Sequence, residues 1–177
     1  MFPLQPFLTG KLVSLGPLQR ADFDALFSVA SDPEIWIQHP ARDRYTEPVF
    51  RDFFDRGIDC GGAFIVRELA TGQVIGSSRY YLYSQDRDEI AIGYTFLARK
   101  FWGGSYNADL KSLMLDHAFK HIGSVIFSVG SLNFRSQRAV QKLGAEVDNA
   151  SVHCTPDSII YRLSKARYRA RPGPNPA

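Results

Sequence analysis

Apolar positions recur along the chain at two different periods, and the period sorts it into helices and strands. From Asp22 to Ala30, Phe23, Leu26, Phe27 and Ala30 fall at helical spacing. A second short turn or helix starts at Asp32-Pro33 and carries Ile35, Trp36 and Ile37. Thr46-Glu47-Pro48 opens a longer helix with Val49, Phe50, Phe53 and Phe54 on its apolar side, and Gly61-Gly62 ends it. The middle changes to strand patterning. Lys11 to Leu15 reads as a first strand, closed by Gly16-Pro17. Ala63 to Arg67 and Gln73 to Tyr83 read as a hairpin around Ala70-Thr71-Gly72. After the polar connection Ser84 to Asp88 comes a strand from Glu89 to Leu97.

The last third alternates. A helix is predicted from Ala108 to His121, with Leu110, Leu113, Met114, Ala118, Phe119 and Ile122 on one wide apolar face and Gly123 as its stop. Val125 to Val129 is a compact buried strand. Asn133 to Leu143 is an amphipathic helix ended by Gly144. Ala145 to Val152 and Ser158 to Leu163 are expected as two more strands. This order predicts an α/β (α+β) domain: one mixed sheet of about seven strands with helices on both faces. The chain of 177 residues suits one domain, assigned to residues 11–166, after an N-terminal extension at 1–10 and before a tail at 167–177. Three prolines in that tail lead to the expectation that it is mobile.

Charge narrows the function classes. The net charge is +3, and Arg162, Lys165, Arg167, Arg169 and Arg171 all sit near the C-terminal end, so the folded body is close to neutral and no nucleic-acid partner is expected. Cys60 and Cys154 cannot build a disulfide framework and lack metal-ligand spacing, so no metal is expected. No leader-like or membrane-spanning run is present, which makes a cytoplasmic location the expectation and a membrane partner an unexpected one. A homodimer is compatible with the sequence.

The most informative stretch is Lys100-Phe101-Trp102-Gly103-Gly104-Ser105-Tyr106-Asn107, between a predicted strand and a predicted helix. Adjacent glycines permit a tight turn and close approach of backbone to a ligand. The first N–H groups of a helix lack internal partners and carry partial positive charge, which suits a phosphate. A plain turn before a helix is the alternative. The nucleoside-triphosphate loop is excluded, because no Gly-Lys-Ser/Thr follows, and so is the dinucleotide fingerprint G-x-G-x-x-G.

Three segments, residues 12–27, 90–119 and 124–146, resemble in order and spacing the GNAT family of N-acyltransferases, which use acetyl-coenzyme A. The likeness is nearest to the branch of ribosomal-protein N-terminal acetyltransferases. It implies a mostly antiparallel sheet whose central pair of strands splays apart, the strand at Ile90 to Leu97 bulging and pairing with the pantetheine arm. In the family's pyrophosphate pattern, Gln/Arg-x-x-Gly-x-Gly/Ala, Lys100, Gly103 and Ser105 take the motif positions, with Trp102, Gly104, Tyr106 and Asn107 beside them. A backbone N–H at Phe96 or Leu97 would polarise the thioester carbonyl.

The resemblance also assigns proton-handling roles. The family's usual Tyr acid is replaced by Val140. In the ribosomal-protein branch Ser136 is the candidate acid for the leaving thiolate, with Asn133 holding the arm. Plain helix capping is the alternative for both. The branch's usual Glu is replaced by Ala91. Glu89, two residues away on the same face, is the candidate base, with a solvated strand-end carboxylate or a water chain as alternatives. Trp36, His39 and Tyr45 lie in the region that would cover the acceptor. Arg42 and Arg44 could meet an anionic acceptor group or be solvated loop residues. His117 and His121, four apart, are expected to pack rather than bind metal. The expected activity is transfer of an acetyl group to a primary amine, whether a protein N-terminus, an amino acid or another small amine. The alternative is a non-catalytic acyl-CoA-binding or interaction domain.

Overall fold

Eight strands form one sheet in the order β1-β2-β3-β4-β5-β6-β8-β7 in the computed structural model, which describes residues 2–170. The strands are β1 (Leu8–Thr9), β2 (Val13–Pro17), β3 (Ala63–Glu68), β4 (Val74–Ser84), β5 (Glu89–Leu97), β6 (Ser124–Gly130), β7 (Glu146–Val147) and β8 (Ser158–Ser164). Among the described strands only β5 and β6 pair in parallel, because the helix between them carries the chain back across the sheet. The helices are α1 (Phe23–Ala30), α2 (Glu47–Asp59), α3 (Ser105–His121), α4 (Phe134–Lys142) and α5 (Lys165–Arg169).

The two faces of the sheet bury separate cores. On one face Leu110, Met114, Leu115 and Ala118 of α3, with Val140 of α4, pack on Val13, Phe64, Val66, Ile75, Tyr80, Ile90 and Ile92. On the other, Phe23 and Leu26 of α1 and Phe50, Phe53 and Phe54 of α2 cover Ile65, Val74 and Phe96. The α3 helix is also pinned by hydrogen bonds. The Asp109 carboxylate accepts from the N–H groups of Lys11, Leu12 and Val13. The buried Tyr80 hydroxyl donates to the Met114 carbonyl. Gly10 lies so close to Asp109 that a Cβ there would stand 2.4 Å from Oδ2, so this clamp needs glycine.

Four sequence expectations change. Residues before Lys11 are part of the fold: β1 adds an edge strand on β2, and Phe2 is buried against Tyr80 and His117. The expected strand Ala145 to Val152 shrinks to Glu146–Val147, because the Asp148 side chain turns the chain by accepting from Ala150 N–H and pairing with Arg162. The helix expected from Ala108 starts at Ser105. The tail expected from Arg167 begins as α5, capped by Ser164 and tied by the Tyr168 hydroxyl to Asp116. The rest of that tail, from Arg171, lies outside the described residues. No described helix is long and apolar enough to cross a membrane.

Candidate active site

The β5–β6 ladder runs only from Glu89↔Ser124 to Ala91↔Ile126, while β5 stays paired with β4 as far as Leu97 and β6 with β8 as far as Gly130. Beyond Ala91 the two central strands therefore diverge, leaving an inner strand edge unpaired. The divergence coincides with a bulge. Arg79 pairs with Gly93 and Ser77 with Phe96, so Ser78 faces two residues, and Tyr94 has φ 52°. A tyrosine in left-handed conformation is uncommon, and such backbone concentrates at functional sites. The bulge also flips the strand's facing: Ile92 belongs to the α3-side core, and Phe96 to the α1–α2 side.

The mouth of the splay is set by the loop into α3. Gly103 has φ 71°, which favours glycine. Gly104 has an ordinary φ of −115°, and a Cβ there would meet no protein atom within 4 Å. No side chain caps the helix, so its first N–H groups stay available. This cradle fits a pyrophosphate carried by coenzyme A: backbone donors, a helix N-terminus and open space over two glycines.

Several predicted loop side chains are engaged elsewhere. Lys100 Nζ donates to Gln73 at 3.0 Å, and the Tyr106 hydroxyl donates to Glu68 at 2.8 Å. They anchor the loop to the β3–β4 hairpin, which leaves the backbone rather than these side chains to face a phosphate. Trp102 donates its indole N–H to the Leu97 carbonyl at 2.8 Å, fixing the strand end to the loop. Ser105 is exposed and Asn107 half-buried within the first turn of α3.

Across the splay, Asn133 is buried and caps α4, its Oδ1 accepting from the Ser136 N–H at 3.2 Å. Capping is thus what the Asn133 side chain does. The Ser136 hydroxyl is half-buried and has no hydrogen-bond partner among the described residues. Arg135, which the sequence reading passed over, stacks 3.8 Å above the Trp102 ring and donates to the Ile35 carbonyl. It forms no ion pair among the described residues, so a guanidinium stands between the glycine loop and α4.

Glu89, the expected base, is held as a buried, salt-bridged carboxylate. It is 1% exposed, not solvated. Its Oε1 is 2.6 Å from Arg87 Nε and 3.2 Å from His153 Nε2, and its Oε2 is 2.8 Å from Arg162. Burial pushes its pKa up, but the hydrogen bonds from Arg87, Arg162 and His153 outweigh it and leave the pKa below the usual carboxylate range. A carboxylate held this way is a weak proton acceptor. Through Arg162 it ties the closed end of the splay to β8.

Under the splay lies a group that the sequence reading missed. Lys111 of α3 is 6% exposed; its Nζ donates to Thr95 Oγ1 at 2.6 Å and lies 5.9 Å from the centroid of Phe127 on β6. Thr95 in turn shares a 2.8 Å hydrogen bond with Ser78. Burial alone lowers the lysine's pKa from 10.5 to about 7. The signal was present: Lys111 stands three and four residues before Met114 and Leu115, on the apolar face of its helix.

On the α1–α2 side, a cavity of about 210 Å³ is lined by Arg44, Phe53, Arg79 and Tyr94, among others. Trp36 is 2% exposed and donates to the Ala30 carbonyl, so it is packed in the core of the α1–α2 side rather than offered as contact surface. His39 is half-buried, its pKa lowered to about 4 by burial and by Arg44, so its ring is neutral. Tyr45 is exposed. Among the described residues no three His, Cys, Asp or Glu side chains converge as a metal site would need.

The family model for the acetyltransferase (GNAT) domain matches residues 13–146. No curated protein matches the sequence. A GCN5-related N-acetyltransferase from Brucella melitensis superposes with a TM-score of 0.83 at 17% identity, over 96% of this chain and 83% of that one. Mycobacterium smegmatis RimJ in complex with CoA-disulfide gives 0.68 at 13% identity, over 90% and 87%. Apo FdhC, a nucleotide-linked sugar GNAT, gives 0.69 at 16% identity, over 93% of each chain. At these identities the likenesses concern the fold.

Proposed function

The chain belongs to the GNAT acetyltransferase family, whose chemistry is acetyl-CoA-dependent acetyl transfer, and on that premise we propose that it acetylates a primary amine by direct attack in a ternary complex. The observation that carries this reading is the splay of β5 from β6, which opens beside an uncapped helix N-terminus. The backbone N–H groups from Gly103 to Asn107 would take the pyrophosphate. The inner edge of β5 beyond Ala91 would pair with the two amides of the pantetheine arm, as a neighbouring strand would. A β5 N–H at Phe96 or Leu97 would receive the developing oxyanion.

The amine nitrogen bonds to the thioester carbon, the C–S bond breaks, and the amine gives up a proton while the thiolate gains one. The free Ser136 hydroxyl, on the α4 side of the splay, is our candidate donor to that thiolate. The covering region with His39 and Tyr45 would receive the acceptor. The branch we favour is that of the ribosomal-protein N-terminal acetyltransferases; the similar structures include RimJ and also a nucleotide-linked sugar GNAT.

Thiol release from acetyl-CoA, screened against small amines and short peptides, tests the reading. Acceptor-dependent release with a stoichiometric N-acetyl product is expected. Tight coenzyme A binding with no release on any amine would favour a non-catalytic acyl-CoA-binding domain instead.

A further inference from the structure

Two arginines beside the β5 bulge, one buried and one half-buried, have no ion-pair partner among the described residues. Arg79 is 6% exposed; its Nη2 donates to the Phe53 carbonyl at 3.2 Å, and its Nε is buried without a partner. Arg44 is half-buried, and its Nε is likewise buried and unpartnered. The two guanidiniums stand on one aromatic ring: the Cζ of Arg44 is 4.4 Å, and that of Arg79 5.1 Å, from the Phe53 centroid. Trp36 lies 5.1 Å from Arg44, and Tyr94 lies 4.4 Å from Arg79.

Neither arginine forms an ion pair among the described residues. Asp52, which also lines the cavity, is spent on Arg56 at 3.0 Å, both side chains largely in solvent. His39 offers no relief. Its Nδ1 accepts from the Ala41 N–H, which leaves the proton on Nε2, 3.3 Å from Arg44 Nη1, so one donor faces another. Two cations without an ion-pair partner among the described residues thus line the cavity, with a neutral imidazole N–H beside Arg44; Asp43, next to Arg44 in the chain, eases its charge without lining the cavity. Burying unpaired charge is costly, and a fold that keeps two like charges together is poised for an anion. Guanidiniums suit oxyanions in particular, because their planar fork matches carboxylate and phosphate oxygens.

We propose that this cavity binds an oxyanion carried by the acceptor amine, a carboxylate or a phosphate ester, and so selects an anionic amine as substrate. The proposal rests on the acetyl-transfer reading for its amine but not for its anion. The placement fits: Tyr94, the bulge residue of the splayed strand, is part of the cavity wall, so the anion would sit on the α1–α2 side of the reacting centre.

The test uses thiol release from acetyl-CoA with matched pairs: amino acids against their carboxamides, and phosphoethanolamine against ethanolamine. In at least one class the anionic member should show a kcat/KM about 10–100-fold above its neutral partner, the range for hydrogen bonds to a charged group. The class that does so separates carboxylate from phosphate. Arg44→Gln and Arg79→Gln should bring that ratio towards one through KM. Arg44→Gln, in the loop before α2, serves if Arg79→Gln fails to fold. Equal turnover within every pair, or a ratio that survives both variants, overturns the proposal. If no amine is acetylated, the acetyl-transfer reading loses its support, and the cavity is judged by calorimetry with succinate and inorganic phosphate. Saturable binding weakened about tenfold or more by Arg44→Gln sustains the anion site, and absence of binding to both anions overturns it.

Discussion

Replacing Lys111 with methionine should make the protein more stable, by an amount that depends on pH. The lysine amine has one hydrogen bond, to Thr95, and an aromatic ring beyond it. An ammonium there would leave two N–H donors unpaired in an apolar setting, so the folded state favours the neutral amine. Its pKa falls from 10.5 to about 7, and burial is the whole cause. The unfolded chain therefore holds one more proton than the folded one between those two values, and stability rises with pH across that window. Above pH 10.5 both states are neutral at this position and no penalty remains. Below pH 7 the penalty is complete and constant. At 1.36 kcal/mol per pH unit, a gap from 10.5 to about 7 is worth about 5 kcal/mol at most.

Lys111→Met removes the titrating group, keeps a similar length, and leaves the Thr95–Ser78 hydrogen bond in place. Urea denaturation of both proteins from pH 6 to pH 10 reads the difference directly, since all other groups cancel. The variant should be several kcal/mol more stable at pH 6–7, with the advantage shrinking steadily toward pH 10. An advantage that stays flat across the range, or a variant that is less stable at pH 6, would refute the reasoning.

Gly104→Val should fold normally, since a Cβ there meets no protein atom within 4 Å, yet lose coenzyme A binding by calorimetry; unchanged affinity would remove the pyrophosphate from this loop. Ser136→Ala should lower turnover about 10²–10⁴-fold with little effect on cofactor affinity, as expected for a positioned acid, and a fall below about twofold would reduce Ser136 to helix structure. Glu89→Gln should cost about 3 kcal/mol in denaturant unfolding, the low end for breaking a buried ion pair because Arg87 and Arg162 keep contact with water. The native Glu89 contribution is present at neutral pH and is lost as pH falls through its depressed folded pKa. A selective loss of activity near neutral pH in a fully stable Glu89→Gln protein would restore it as the base.

The fold was legible wherever one residue type governs local geometry. Gly123 and Gly144 end the two helices that flank β6, and Pro48 opens α2, as their positions implied. Elements held by two residue pairs were not: β1 pairs only through Leu8 and Thr9, too short to show a period. Nor was the truncation of β7 legible, because it depends on Asp148 meeting Arg162 from a different strand. At the site, the backbone cradle was visible in Gly103 and Gly104. The side-chain roles were less so. Alternation places Glu89 and Ala91 on one face, yet whether that face holds water or Arg162 is settled by β8. Arg79 reads as an ordinary strand residue until α2 delivers Phe53 beneath it. Tyr94 gives no sign in composition that its backbone is left-handed.

The divergence of β5 from β6 has a mechanical consequence. A sheet normally exposes unpaired edges only at its rims, and there they invite association with other chains. Here an edge lies inside the sheet, with α3 packed against both strands that border it. A strand-like guest can enter that slot without unzipping any ladder, because the protein has already forgone the bonds. The cluster of Glu89 with Arg87, Arg162 and His153 ties β5 to β8 at the closed end, where the ladder stops. For a strand-like guest the entropy of association would then fall mainly on the guest, because the protein's own edge is already cut.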